Sequence, residues 1–381
     1  AQAQVTNFSQ DVNTAIDNGL AWLDAQGAYN AGFSSAGDAA GLAALALLEK
    51  RVNADQNAAS QGYSGATPAD QTRIQNIISW IIANHTGAVQ YAYRDGGDMM
   101  ALSVYLRSGG PSQAAALATL NTIFDRTIAA QNAAGYWCYG AIYAYLICPD
   151  ASTTQLVMAG LAAAKSVYSD AAFSDPARLA SLNTATAATR AAYAANGLLG
   201  SACSAGGILT PTERGHGYNA GSCNSIQQTA SGIWVQVVGG AGLNDVDVQG
   251  YLEWLRNRYR YSGINAGGVG DYWPSYYYYL WTQSKALSFL DDSGVTPDPG
   301  NIDSSALGVL APAAAPAFAF RELHRDPTTD PRVPSFGPEG PGYYNDPSEP
   351  ARWYYDGAYA LLTHQAANGQ FANPEGGWNN Y

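Results

Sequence analysis

Residues 19–33 read GLAWLDAQGAYNAGF, and residues 38–49 read DAAGLAALALLE. The first stretch closes an amphipathic segment in which Val12, Ile16, Leu20 and Leu23 recur at helical spacing, then breaks after Gln26 into a loop of glycines and aromatics. The second is apolar on nearly every side, as expected of a helix buried between neighbours. The unit returns along the chain. RIQNIISWIIANHTGAVQY at 73–91 precedes a helix through Asp98 to Leu106, and DRTIAAQNAAGYW at 125–137 precedes DASTTQLVMAGLAAA at 150–164. A fourth pair joins helices over 176–196 and 225–238, and a fifth joins VQGYLEWLRNRYRY at 248–261 to WPSYYYYLWTQSKALSFL at 273–290. YYDGAYALLTHQAANGQF at 354–371 opens a sixth pair that stops at Tyr381 without its inner helix. A repeat of this kind defines architecture before any single motif does: outer helix, Gly-plus-aromatic loop, inner helix, in an all-α chain.

Because the repeats interlock, residues 1–381 are expected to form one domain with a large shared core. Residues 291–350, rich in Pro, Asp, Gly and Ser, read as an irregular insertion, since the repeat resumes at Arg352. Only 13% of residues are charged and the net charge is -12, so Ser, Asn, Gln, Thr, Gly and Tyr must build much of the surface. That balance argues against nucleic acid and anionic membranes as partners, and no apolar run is long enough for a membrane span.

The opening AQAQVTNFSQ suits a mature end left after signal-peptide removal, giving an expected secreted, extracellular or periplasmic location. Four cysteines lie in expected loops, and their spacing suggests Cys138 with Cys148 and Cys203 with Cys223, one of three possible connectivities. No C-x-x-C pair suggests a metal and no C-x-x-C-H suggests covalent haem, so no cofactor is expected. Calcium at Asp291, Asp292, Asp298 and Asp303 would lack the spacing of an EF-hand.

The units carried by GLAWLDAQ with Gly32-Phe33, AAQNAAGYW, DASTTQLVMAGL, YLEWLRNRYR with YYYYLW, and ALLTHQAANGQF resemble the prenyltransferase and squalene oxidase repeat, the QW-type hairpin. Squalene-hopene cyclases, protein prenyltransferase beta subunits and complement-type thioester domains carry that hairpin, and the likeness in character is strongest to secreted bacterial proteins with the repeat. The resemblance implies an alpha/alpha toroid of about six helical hairpins, inner helices around a central funnel and outer helices as its wall. The catalytic motifs of those enzymes are not matched. The chain has no D-x-D-D run, only DVDV at 245–248; Asp356 and His364 stand without a nearby Cys for zinc; Cys138 is followed by Tyr-Gly-Ala and not by Gly-Glu-Gln.

The resemblance further implies that ligands enter at loops leading into the inner helices. Arg94, Asp95, Asp98, Asp150, Asp271, Tyr272, Trp273 and Tyr276 precede or open those helices. Opposed carboxylates there would suit acid and base work on a glycosidic bond; the structural alternative is that each Asp caps its helix, as read for Asp38 and Asp150. The loop TERGHGYN at 212–219 groups Glu213, Arg214, His216 and Tyr218, either as a proton-transfer site or as a solvated loop pinned by a disulfide. The 26 tyrosines and 9 tryptophans are the other resource, offering flat apolar faces with a polar handle for sugars or protein interfaces.

Two functions are thus expected to compete. One is a secreted, non-catalytic toroid that binds a glycan or cell-envelope component, or copies of itself, through Tyr-rich surfaces. The other is a polysaccharide lyase or glycoside hydrolase using Asp95, Asp98, Glu213 and His216.

Overall fold

The computed structural model describes residues 5–140, 148–199, 210–219, 222–242, 244–257, 276–292, 343–349 and 353–371. Eleven α-helices account for most of them: α1 Asn7–Ala25, α2 Ala40–Leu48, α3 Pro68–His85, α4 Ala92–Arg107, α5 Gln113–Ala129, α6 Ala151–Tyr168, α7 Pro176–Asn196, α8 Ile226–Val238, α9 Val246–Asn257, α10 Tyr276–Asp292 and α11 Trp353–His364. Two short strands, β1 Leu198–Leu199 and β2 Arg214–Gly215, pair antiparallel. The expected all-α class is therefore observed, with helices where the five full pairs and the first segment of the sixth place them.

The chain divides into two compact units, Ala1–Thr189 with Ala367–Gln370, and Arg190–Ala366 with Phe371–Tyr381. In the first, α2, α4 and α6 lie side by side, and α1, α3 and α5 pack against them. The reason is written in small residues. A Cβ on Gly41 of α2 would stand 2.3 Å from the backbone carbon of Gly97 in α4, and one on Gly96 would stand 2.3 Å from the carbonyl oxygen of Leu156 in α6. The three helices thus meet backbone to backbone, an approach closed to any residue with a side chain. Gly, Ala, Met and Leu fill the remaining contacts, with Leu47, Leu48, Met99, Leu102, Val157 and Leu161 fully buried.

Chain ends of the helices follow local rules. Thr6 and Ser9 form a reciprocal capping box on α1, Thr67 caps α3 with Pro68 in its first turn, and Asp150 accepts from the Thr153 amide at the start of α6. Asp150 is the cap the sequence suggests. Asp38 is not: it sits in a 3-10 turn, Gly37–Ala39, and α2 starts behind Ala39 with no side-chain cap. Its carboxylate instead lies 3.3 Å from the Arg94 guanidinium.

The repeated Gln, Gly and aromatic residues have a physical role. Gln131 Nε2 donates to the carbonyls of Gly135 and Ala185 at 3.2 and 2.9 Å, tying the loop after α5 to α7. Trp137, fully buried, donates its indole N–H to the Thr127 carbonyl at 2.7 Å, satisfying one of the orphan acceptors at the end of α5. Gly135 and Gly369, each four residues after the repeated Gln, have φ of +84° and +89°, and Gly27, directly after Gln26, has +86°, a region where a side chain is strained.

In the second unit α8 packs on α9 and α10, α9 packs on β2, and α10 packs on α11. Trp234, Tyr251 and Trp254 anchor this core. Of the insertion over 291–350, the described part after α10 is Tyr343–Glu349; Tyr343 is buried and donates to Asp356 Oδ1 of α11 at 2.5 Å. Among the described residues no helix is long and apolar enough to cross a membrane.

Candidate functional site

Arg94, Asp95 and Asp98, singled out at the entrance to α4, come together in a buried hydrogen-bonded network. Asp95 is fully buried in the first turn of α4 and accepts from both Nε and Nη2 of Arg126, at 3.0 and 2.7 Å, and from Arg94 Nε at 3.2 Å. The remaining Arg126 nitrogen, Nη1, donates to the carbonyls of His85, Thr86 and Ala88 at 2.7, 3.0 and 2.9 Å. One guanidinium therefore closes the C-terminus of α3 and clamps the N-terminus of α4, serving the negative end of one dipole while holding the acid at the positive end of the next. Arg94 completes the ring by donating to the Val89 carbonyl and pairing with Asp38.

Asp98, also fully buried, pairs through Oδ2 with His85 Nδ1 at 2.7 Å, and its Oδ1 has no hydrogen-bond partner. Burial pushes its carboxyl above the usual range against the opposing pull of His85. Trp80 meets the His85 ring edge to face at 4.7 Å. Nothing in the sequence flagged His85 or Arg126: each is a lone basic residue in the last turn of its helix, and its acid stands on another helix.

What this ionic layer supports is a tyrosine cluster. The α3–α4 connection and the loop before Cys148 are joined by an antiparallel bridge between Tyr91 and Gly140 and by the Ala92 amide donating to the Tyr139 carbonyl at 2.9 Å. Cys138 and Cys148 are disulfide-bonded with Cα atoms 5.6 Å apart, as their spacing suggests, which ties the segment after α5 to the start of α6. The ring of Tyr93 lies 6.0 Å from Tyr91 and 5.5 Å from Tyr139, both edge to face, and Arg94 sits over Tyr91 at 5.9 Å. All three tyrosines are half-buried, and Val89 beside them is exposed. Tyr93 Oη and Ser152 Oγ are 2.7 Å apart, and Ser152 donates to Asp150 Oδ1 at 2.6 Å, so the cap of α6 is also the anchor of this phenol.

In the second unit the TERGHGYN loop is not solvated. Glu213 and His216 are buried, Arg214 forms β2 and pairs with Asp247 at 2.6 Å, and the His216 amide donates to Thr229 Oγ1 at 3.0 Å. His216 lies flat on Tyr193 with ring centroids 4.1 Å apart, and burial pulls its pKa down to about 4. Cys223 is exposed; Cys203, its expected partner, lies outside the described residues, as do Asp271, Tyr272, Trp273, Asp298 and Asp303. Tyr276 is the first residue of α10. Among the described residues no group of three or more His, Cys, Asp or Glu side chains is placed to hold a metal ion.

No family model, curated protein or solved structure matches the chain.

Proposed function

We propose that this chain is a secreted, non-catalytic binding protein, an alpha/alpha toroid of the prenyltransferase and squalene oxidase repeat class, that holds a neutral glycan of a cell envelope on the cluster of Tyr91, Tyr93 and Tyr139. The observation that carries the reading is the contrast in burial. The ionisable groups around the cluster are buried and paired with one another, Asp95 with two arginines and Asp98 with His85, while the three tyrosines are half-buried. Aromatic rings with fixed hydroxyls suit the apolar face and hydroxyl edge of a sugar ring. The disulfide at the edge of the site is of the kind that persists in oxidising compartments. The side-by-side order of α2, α4 and α6 is what a toroid's inner layer requires of one sector.

Calorimetric titration with neutral oligosaccharides tests it. Tyr91→Ala and Tyr139→Ala are each expected to weaken binding at least about tenfold, the effect of a hot-spot aromatic. Two variants that bind as many equivalents as tightly as wild-type protein, or titration of wild-type protein with no sugar response, overturn the reading. Size-exclusion elution above monomer mass that is lost in the same variants would assign the tyrosines to self-association instead.

The second reading, glycan cleavage, is favoured by one observation: Asp98 has the raised pKa of a general acid and an unpartnered oxygen. It requires Asp98→Asn to abolish release of reducing ends while leaving sugar binding intact.

A further inference from the structure

The second unit carries a separate arrangement between α8 and α10. Gln228 Nε2 lies 3.5 Å from Tyr278 Oη, and Trp234 meets Trp281 edge to face at 6.1 Å, so this stretch of α8 faces α10 along a common seam. Gln227 and Gln228 are 3% exposed and Trp234 is 1% exposed. Despite that burial, Gln227 Nε2, Gln228 Oε1 and Trp234 Nε1 have no hydrogen-bond partner. Gln227 and Trp234 are seven residues apart, two turns of helix, which puts the two residues on one face about 10 Å apart along the axis. Ser231, on the turn between them, is satisfied within the helix by the Gln228 carbonyl at 2.8 Å. At the rim, Tyr278 and Trp281 are half-exposed.

Buried polar groups in a folded protein are paired almost without exception, so two donors and an acceptor left over in one seam call for something that supplies their partners. The groups define its chemistry. A carboxylate or phosphate offers acceptors to Gln227 and Trp234 but no donor to Gln228 Oε1; an ammonium offers the reverse. A hydroxyl does both, and the three groups carry no charge to attract an ion. The rim rings add a flat apolar face of the kind that sugar rings stack on.

We infer that the α8–α10 seam is a second binding site for a neutral, hydroxyl-rich ligand, a short glycan segment. The choice of a glycan over another polyol rests on the proposed function, whereas the site itself rests on Gln227, Gln228 and Trp234 alone.

Isothermal titration of the full chain with neutral hexasaccharides of glucose, mannose and N-acetylglucosamine decides the matter. Wild-type protein is expected to bind two equivalents of a recognised sugar. The rim variant Trp281→Ala and the floor variant Trp234→Phe with Gln228→Leu should each remove one equivalent or weaken it at least tenfold, with circular dichroism showing an unchanged helical signal. Tyr91→Ala with Tyr139→Ala should remove the other. One equivalent that disappears only with the tyrosines overturns the seam, assigns its polar atoms to ordered water and leaves the proposed function standing. One equivalent that disappears only with Trp281 or Trp234 keeps the seam and overturns the tyrosine site. No response to any sugar overturns both.

Discussion

His85 and His216 are both almost fully buried, and the two units accommodate them in opposite ways. His85 sits 2.7 Å from the carboxylate of Asp98, beneath a clamp in which Arg126 and Arg94 share Asp95. His216 rests on the face of Tyr193 with Nδ1 2.7 Å from the Gly217 carbonyl, and burial holds it neutral. One region pairs its imidazole with a buried carboxyl group; the other stacks its imidazole on an aromatic ring and keeps it uncharged. The lesson is that a titratable side chain inside a helical body is first a question of desolvation. A catalytic role has to be argued from more than burial and a titratable group.

The largest effect that sharpens this contrast is expected from Arg126→Ala. The change strips two bonds from buried Asp95 and one donor from three helix-end carbonyls, and breaking a buried ion pair from one side costs about 3–5 kcal/mol. Urea unfolding should show a loss of that size; a loss below about 1 kcal/mol would break the claim that the clamp organises the α3–α4 junction. Next comes the pH response of the two buried groups, which should have opposite signs. His216 has a folded pKa of about 4 against an ordinary 6.5, so the unfolded chain takes the proton first. Stability is then full above pH 6.5 and falls by roughly 3 kcal/mol as pH drops toward 4. His216→Gln should flatten that arm of a stability–pH curve, and an unchanged arm would assign it elsewhere.

The smallest effect concerns Asp98, whose folded pKa lies above its ordinary 3.8. Its contribution is present at low pH and is lost as pH rises through the folded value, because a buried carboxyl must then ionise. Asp98→Asn removes this second arm while its amide still offers the His85 ring a hydrogen-bond partner, a net change of about 1 kcal/mol. Two-dimensional NMR of the histidine rings would follow both sites in one titration.

Helical pairing was legible because apolar spacing and the recurring Gln, Gly and aromatic residues report local geometry. Gln131, Gly135 and Trp137 do within a dozen residues what the repeat suggests. Asp150 was legible as a cap for the same reason, since a cap is read from its own helix. Asp38 was not, because its partner Arg94 stands on another repeat. The site itself depends on such distant meetings. Tyr91 and Tyr93 reach Tyr139 only when two connections pair across Gly140, and Arg126 reaches Asp95 only when α5 lies beside α4. The TERGHGYN loop, polar and Gly-rich, reads as solvated, yet stacking on Tyr193 and the Arg214–Asp247 pair draw it inward.

The contacts of Gly41 and Gly96 restrict how this chain can change length. A residue inserted into α4 before Gly96 turns everything on one side of it by about 100° relative to the other. Bulky side chains such as Met99 would then swing into positions where α2 and α6 leave room for hydrogen atoms alone. These three helices are held in phase with one another, so insertions within them should abolish folding.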